Sequence, residues 1–231
     1  MVSQSCTRCK VPAVLFQRYS GRYLCREHLA GDVVIRAKRT IRTQGGLGRA
    51  GCIAVLDDSD ACSALLHLLS EIIGTRPGME ILLIREGRGE RNGLDPGELS
   101  LPVKITGIAC EKGDFEPLLK ESGIDKIFSS QYLEEYATGV LRSLLSGSCD
   151  DLIGTFSTPY RVITPLREIP HQEIQDYSVL FSLPLINPSM PRAREDIAEM
   201  LASLTINHPS VPFSLIRYKD RLTAVSHRSG T

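Results

Sequence analysis

The sequence predicts an α/β protein, in which a parallel sheet carries helices on both faces and a small ribbon precedes it at the amino end. From residue 51 onward, short apolar runs alternate with segments of helical periodicity, a pattern typical of parallel sheets. Before that point, Cys6, Cys9, Cys25 and His28 form two close pairs. A length of 231 residues suits one compact domain with such an appendage.

The four N-terminal residues predict a structural Zn²⁺ site. Cys6 and Cys9 are separated by two residues, as are Cys25 and His28, and this gap lets the ligands of each pair converge on one ion. The stretch between the pairs is long enough for a hairpin with a turn at Ser20-Gly21. Four protein ligands leave no position for water, so the ion would stabilise the ribbon. Ordinary buried thiols beside an incidental histidine are the weaker interpretation.

Composition divides the chain into four predicted segments. Residues 1–31 form the zinc ribbon, and residues 32–50 form a basic linker or helix that ends in the glycine-rich stretch 45–48. The α/β domain covers residues 51–222. Residues 223–231 are expected to be a disordered tail.

Five strands and five helices are predicted in the α/β domain. The run 52–56 is short and apolar, as expected of a buried strand, and the segment 61–73 has apolar residues at helical spacing. The other predicted strands are 80–84, 103–109, 126–129 and 160–164, and the other helices are 115–122, 133–145, 172–181 and 193–204. This alternation gives a Rossmann-like sheet, whose ligands bind at the carboxyl ends of strands. The first strand-to-helix turn, residues 56–61, is therefore the expected active-site position.

Positive charge is concentrated at the amino end. Residues 1–50 hold ten Lys or Arg and two acidic residues, so this end is strongly basic although the whole chain is neutral. A phosphate backbone is a natural partner for such a surface. The alternative is a solvated helix face, because the stretch from Arg36 to Arg49 contains no aromatic residue that could stack on bases.

Two further features bear on location. No apolar run approaches the ~18 residues that a membrane span needs. The cysteines outside the ribbon, at positions 52, 62, 110 and 149, have no spacing typical of a disulfide framework. We therefore expect a cytoplasmic protein without disulfides and without a membrane partner.

The order of the motifs resembles that of the PP-loop tRNA 2-thiolation proteins. A Cys-x2-Cys and Cys-x2-His ribbon, a basic linker, a strand ending in a short loop and an apolar helix follow one another as in that family. Residues 164–170, Thr-Pro-Leu-Arg-Glu-Ile-Pro, resemble its pre-terminal motif, and residues 123–127 resemble its second signature region. Residues 208–214 are similar to the segment that closes its domain. The resemblance spans nearly the whole chain and implies a fold of the adenine nucleotide alpha-hydrolase type.

Members of the family adenylate a uridine or cytidine carbonyl of tRNA with ATP and then replace the oxygen with sulfur. Their nucleotide loop, Ser-Gly-Gly-x-Asp-Ser, corresponds here to residues 56–61, where only Asp60 matches. Asp57 and Asp58 place charged side chains where the family has glycine, and they can cap the following helix. The sequence therefore disfavours ATP and Mg²⁺ as ligands. The alternative is a loop in which Asp57, Asp58, Ser59 and Asp60 hold ATP through Mg²⁺.

The sulfur chemistry of the family also looks altered. Relatives use a Cys-x2-Cys pair and a Cys-Pro-Tyr segment to hold an iron–sulfur cluster or to carry sulfur. Here Cys110 stands alone, and Asn187-Pro188-Ser189 replaces Cys-Pro-Tyr. One thiol cannot hold a cluster that needs three or four, so the sequence argues against an iron–sulfur cluster. Glu134 and Glu135 either replace the paired acids of a second family loop or complement a helix dipole.

Seven basic residues are candidate RNA contacts. Four belong to the basic segment, and three lie where the resemblance places a substrate channel: Arg36, Lys38, Arg39, Arg42, Arg167, Arg192 and Arg194. The last three could instead pair with nearby acidic residues. Neither His67 nor His171 has sequence neighbours that suggest catalysis.

Together these features predict a degenerate PP-loop protein of the tRNA-thiolation family. We expect a non-catalytic subunit that binds tRNA or pairs with an active PP-loop paralogue or a second copy of itself. One alternative is an active ATP-dependent tRNA sulfurtransferase with an altered nucleotide loop. Another is a zinc-ribbon adaptor with no RNA role.

Overall fold

The fold is described from a computed structural model of the chain. It describes residues 4–47, 51–74, 78–86, 99, 101–110, 115–124, 126–148, 160–184 and 195–229. The ribbon contains an antiparallel pair, β1 (Leu15–Gln17) and β2 (Arg22–Leu24). Its turn lies at Ser20 and Gly21, and Gly21 has a φ of 66°, a left-handed conformation that favours glycine. The predicted hairpin is therefore present.

A five-stranded parallel sheet forms the centre of the main domain. Its strands are β3 (Cys52–Leu56), β4 (Glu80–Glu86), β5 (Lys104–Cys110), β6 (Lys126–Ser129) and β7 (Arg161–Ile163). Their order is β5-β4-β3-β6-β7, and every pairing is parallel. The predicted fold class is confirmed. Because the strand order reverses beside β3, the crevice between the carboxyl ends of β3 and β6 is where this architecture places ligands.

Seven helices occur in the described part of the chain. They are α1 (Arg26–Thr43), α2 (Cys62–Ile73), α3 (Glu116–Glu121), α4 (Leu133–Ser146), α5 (His171–Leu180), α6 (Glu195–Asn207) and α7 (Val211–Ser229). The last helix was missed by the sequence reasoning. Pro209 precedes this helix, and Pro212 occupies its second position, where proline needs no intrahelical hydrogen bond. Residues 223–229, predicted as a disordered tail, are helical.

Burial explains why β3 and α2 lie at the centre of the fold. Ile53, Ala54 and Val55 are all buried, so both faces of β3 are covered, as expected of a strand in a parallel sheet with two helical layers. In α2, Leu65, Leu66, Leu68 and Leu69 are also buried. This helix is therefore apolar around most of its circumference and is enclosed by the sheet and by other helices.

The ribbon is fixed to the main domain through a buried carboxylate on α5. Glu173 is only 2 % exposed, and its Oε1 accepts hydrogen bonds from Gln17 Nε2 at 3.2 Å and from the Tyr19 hydroxyl at 2.8 Å. Its other oxygen pairs with the guanidinium of Arg36, which also contacts Asp32 at 3.0 Å. The ring of Tyr19 packs on Phe213 with centroids 4.7 Å apart. The ribbon and the domain thus share one buried polar network.

Within the described ranges, no helix combines the length and the apolar character required to cross a bilayer.

Replacing Glu173 should strongly destabilise the protein. Glu173→Ala leaves the Arg36 guanidinium, the Gln17 amide and the Tyr19 hydroxyl without their shared buried acceptor, and we expect a loss of about 3 kcal/mol in the free energy of unfolding. Urea denaturation measures this loss. The matched control is Glu80→Ala, which removes a pair with Lys104 whose side chains are 45 % and 68 % exposed, and it should cost at most about 1 kcal/mol. Equal effects of the two variants would contradict the assigned role of Glu173.

Candidate functional site

The structure brings the four predicted metal ligands together. Their ligand atoms all lie within 4.8 Å of one another. Cys6 Sγ is 3.6 Å from His28 Nδ1, Cys9 Sγ is 3.6 Å from Cys25 Sγ, and Cys25 Sγ is 3.2 Å from His28 Nδ1. Ligands arranged tetrahedrally at zinc distances are separated by about 3.5–3.8 Å. The donor set therefore fits one metal ion.

Local structure explains how these ligands converge. Cys6 and Cys9 flank a tight turn closed by the Lys10 N–H donating to the Cys6 carbonyl at 3.1 Å. Cys25 follows β2 directly and precedes α1, whose first turn contains His28. The helix therefore begins inside the segment predicted as the ribbon, and it presents the histidine to the three thiols.

The protonation of the thiols also suits a cation. Burial raises the pKa of the Cys6 thiol, but hydrogen bonds involving the backbone at Arg8, Cys25 and Cys9 oppose this effect and lower the pKa to about 6. For Cys9 a backbone hydrogen bond at Val11 lowers the pKa, yet burial and the neighbouring thiols raise it overall. Without an ion, the Cys6 thiol loses its proton more readily than the Cys9 thiol. A bound cation stabilises all the thiolates.

The loop predicted as the nucleotide site lies at the ligand-binding crevice of the sheet. Asp57 pairs with Arg85 near the end of β4, with Oδ2 and Nε 3.2 Å apart. Asp58 reaches across to the end of β6, where its carboxylate accepts three hydrogen bonds. They come from Ser129 Oγ at 2.6 Å, Ser130 Oγ at 2.6 Å and the Ser130 backbone N–H at 2.8 Å. We call these three donors the Ser129/Ser130 cradle.

The carboxyl group of Asp58 is thus surrounded by hydrogen-bond donors of the same chain. Although the residue as a whole is exposed, burial of its carboxyl group raises the pKa, and the bonds to Ser129 and Ser130 act in the opposite direction. The predicted helix capping is different in the structure. The backbone N–H of Ala61 donates to Ser59 Oγ at 3.1 Å, so that the serine, and not the two aspartates, satisfies this group.

Asp60, the one residue that matches the family loop, contacts His171 at the start of α5. Asp60 Oδ2 is 3.2 Å from His171 Nε2, and the imidazole stacks on the Tyr132 ring with centroids 4.4 Å apart. The hydrogen bond to Asp60 raises the pKa of His171. The sequence reasoning missed this pair, because no local signal connects a loop aspartate with a histidine on a distant helix.

Two acidic residues of α4 face the same crevice. Glu134 Oε2 accepts a hydrogen bond from the His171 backbone N–H at 2.9 Å, and burial raises the Glu134 pKa. Burial also raises the pKa of Glu135 to about 7, a shift opposed by a hydrogen bond with Ser59 and reinforced by the charges of Asp60 and Asp58. Both lie in the first turn of the helix, as the dipole interpretation requires, but they are also part of the crevice.

The candidate RNA contacts differ in their availability. Arg36 pairs with Asp32 and Glu173. Arg167 makes a bidentate pair with Asp220, in which both nitrogen–oxygen distances are 2.8 Å. These two cations therefore serve internal contacts. The other three candidates on α1 are exposed: Lys38, Arg39 and Arg42. Of these, Arg39 pairs with Glu168. Arg192 and Arg194 lie outside the described residues, as do the side chain of Cys110 and residues 187–189.

A parallel sheet of this order, with a cysteine and histidine ribbon in front of it, defines an α/β protein of the PP-loop type. Residues 5–30 match the family model described as "2-thiouridine synthetase TtuA, N-terminal LIM domain". Over 282 residues the chain is 24 % identical to the tRNA 2-thiolation protein NcsA of Haloferax volcanii, covering 96 % of this chain and 88 % of that protein. These matches support the resemblance to the PP-loop tRNA 2-thiolation proteins that the motif order indicates.

A solved structure shares the fold along almost the entire chain. The U34-tRNA thiolase NcsA from Methanococcus maripaludis, described with its [4Fe-4S] cluster, superposes with a TM-score of 0.80 at 18 % identity. The match covers 97 % of this chain and 88 % of that protein.

This structure corrects one prediction. The inference against an iron–sulfur cluster is wrong, because the structurally similar NcsA carries one. The sequence reasoning counted cysteines only at the positions of the family's Cys-x2-Cys and Cys-Pro-Tyr motifs, whereas a cluster or ion requires thiolates that are close in space. Cys6, Cys9, Cys25 and His28 form such a group here and could hold a metal or an iron–sulfur centre.

Removing the metal should unfold the ribbon. Because the ribbon is too small to build a core of its own, its stability depends on the ion. We expect chelation to lower Tm, and Cys25→Ser to abolish stoichiometric metal while Cys52→Ser, which lies outside the ligand group, leaves it unchanged. Elemental analysis with a sulfide assay measures the outcome, and zinc without sulfide is distinguished from iron with sulfide. A metal-free protein with an unchanged Tm would contradict the assignment.

The raised pKa of Glu135 predicts that the substitution Glu135→Gln stabilises the protein, and that this stabilisation increases with pH. The folded state holds this proton more tightly than the unfolded state, so the stabilisation is present below about pH 4.5 and is lost as pH rises to about 7. The substitution Glu135→Gln removes this pH-dependent loss of stability, because the amide does not ionise. We expect its Tm to exceed that of the wild type more at pH 8 than at pH 5, by an amount equivalent to about 1–3 kcal/mol. Glu116→Gln, at an exposed position in the first turn of α3, is the control.

Proposed function

We propose that the protein is a non-catalytic member of a tRNA-thiolation system. It binds tRNA or supports an active PP-loop paralogue, or a second copy of itself, without using ATP. The single observation that carries this proposal is the position of Asp58, whose carboxylate fills the Ser129/Ser130 cradle at the crevice of the sheet.

Occupation of the cradle opposes nucleotide binding more strongly than simple charge repulsion would. A phosphate entering this position must displace the Asp58 carboxylate and break its three hydrogen bonds, each of which costs free energy when the buried partner is left unsatisfied. It must then approach Asp57, Asp60 and Glu135. Among the described residues, Arg85 pairs with Asp57 and His171 pairs with Asp60, so both groups are already engaged with aspartates of this loop. The crevice therefore favours its own side chain over a polyanion.

A role with tRNA is supported by the relatives and by the surface of α1. The matched proteins are described as tRNA thiolation proteins, and this chain keeps their ribbon and their sheet. Lys38 and Arg42 are exposed one turn apart on α1, and Arg39 lies beside them. Cations in this arrangement attract phosphates with an affinity that falls as salt rises. The metal centre is proposed to have a structural role, since it holds the ribbon in position on the domain.

One observation favours an enzyme as a second candidate. Among the described residues, Asp60 Oδ1 and Glu135 Oε2 are buried and have no hydrogen-bond partner. Two unpartnered carboxylate oxygens in one crevice suit Mg²⁺, which prefers oxygen ligands, and perturbed pKa values are common at active sites. In this alternative, the ion would bring ATP to the altered loop for an ATP-dependent tRNA sulfurtransferase.

Calorimetry with ATP and Mg²⁺ separates the two candidates. We expect no saturable binding by the wild type. Asp58→Gly should open the cradle and give measurable binding of pyrophosphate or ATP, and adding Ser130→Ala should remove that gain because one of the cradle hydroxyls is lost. Micromolar binding by the wild type that vanishes in Asp60→Ala would establish the enzyme instead, as would adenylation or thiolation of tRNA by the purified protein.

A further inference from the structure

An aromatic pair lies on the outer face of the ribbon. Phe16 on β1 and Tyr23 on β2 are directly opposite each other in the antiparallel register. Their ring centroids are 4.6 Å apart, and the ring planes are inclined by 30°. Phe16 is 45 % exposed, and Tyr23 is half-buried. The two rings form an accessible aromatic surface of about two side chains in width.

The strand alternation explains why the rings point outward. Leu15 and Leu24, the neighbouring cross-strand pair, point to the opposite face, and Leu24 is fully buried in the core. Gln17 on that inner face reaches Glu173 of the main domain. The inner face therefore docks on the rest of the protein, while the aromatic pair remains at the surface. Val14 and Val11 of the same ribbon are also exposed, so this small unit displays an unusual amount of apolar surface.

The surroundings of the aromatic pair are basic. Thr7 in the metal-binding turn is tied to Tyr23 by two hydrogen bonds, one from its N–H to the Tyr23 carbonyl and one from the Tyr23 N–H to its Oγ1. Arg8, which pairs with Asp32 at 3.4 Å, follows Thr7 directly, and the exposed Arg22 precedes Tyr23. Residues 4–32 contain five Lys or Arg and two acidic residues, Glu27 and Asp32. The positive charge of the ribbon is complementary to a phosphate backbone. It is not complementary to a partner protein with few acidic residues on its surface.

We propose that Phe16 and Tyr23 form a stacking platform for unpaired RNA bases, with the cations of the ribbon contacting the adjacent phosphates. Exposed aromatic rings beside cations are the physical basis of single-stranded nucleic-acid binding, because each base offers a flat face to stack on. Bases within a duplex are already stacked and are hidden from such rings. The proposal rests on the proposed tRNA-binding function and specifies the part of the RNA that the ribbon takes, namely unpaired nucleotides of a loop or an end.

The test compares RNA binding by matched variants of the full-length, metal-loaded protein. The probes are an unstructured single-stranded RNA oligonucleotide and a duplex RNA of equal length, titrated by fluorescence anisotropy at several salt concentrations. The double variant Phe16→Leu with Tyr23→Leu keeps apolar side chains but removes both rings. We expect it to weaken single-strand binding by about tenfold or more, with an unchanged slope against salt, because the phosphate contacts remain.

Two controls assign the effect to the rings. The exchange variant Phe16→Tyr with Tyr23→Phe keeps both rings and should bind like the wild type, and Val14→Ala, which removes exposed apolar surface without a ring, should do the same. Metal content and Tm verify that each variant is folded. Wild-type affinity in the leucine variant, or equal affinity for duplex and single strand, would overturn the stacking platform while leaving the tRNA-binding proposal intact. A wild type that binds neither RNA overturns both and favours the adaptor without an RNA role.

Discussion

The arrangement of side chains in the crevice depends on the carboxylate of Asp58. Asp58 follows the central strand β3 and is held by the Ser129/Ser130 cradle at the end of β6. These are the two strands between which the order of the sheet reverses, so the hydrogen bonds join the two halves of the sheet where its ligands are expected. Under the proposed function, these contacts occupy the position that a nucleotide would need, so that stability and nucleotide binding would compete for one set of donors.

The first turn of α5 connects this crevice with the ribbon. His171 pairs with Asp60 of the loop, and Glu173, two residues further on, accepts hydrogen bonds from Gln17 and Tyr19 of the ribbon. A metal ion held by Cys6, Cys9, Cys25 and His28 would order the ribbon, whose Gln17 and Tyr19 donate to the buried Glu173 carboxylate. One helical turn thus holds two polar networks in place. Arg36 is paired with Glu173 in this arrangement, whereas Lys38 and Arg42 of the same helix are exposed.

Local patterns predicted the architecture well. The apolar run at Cys52–Leu56 and the helical spacing after it placed β3 and α2 within a residue of their observed bounds, and the spacing of the ribbon ligands predicted their convergence. Helix α7 was missed because residues 208–214 were interpreted as the segment that closes the family domain and residues 223–231 as a disordered tail; Pro212 is compatible with a first helical turn. The inference against an iron–sulfur cluster failed because it compared motif positions and could not consider distances.

The chemistry of the crevice was only partly accessible from sequence. The two aspartates in place of glycines drew attention to the loop, and they suggested repulsion of phosphate. Their partners Arg85, Ser129 and Ser130 are remote in sequence, and only the fold shows that Asp57 is neutralised and that Asp58 occupies a seat. The His171–Asp60 pair and the Phe16–Tyr23 pair likewise depend on tertiary or cross-strand placement.

The central claim is that the chain's own carboxylate takes the place of the nucleotide. A crystal structure of the wild type grown with a nonhydrolysable ATP analogue and Mg²⁺ tests this most directly. The account predicts Asp58 in contact with Ser129 and Ser130 and no nucleotide against residues 56–61. An analogue bound at those residues, with the Asp58 side chain displaced from the cradle, would contradict it.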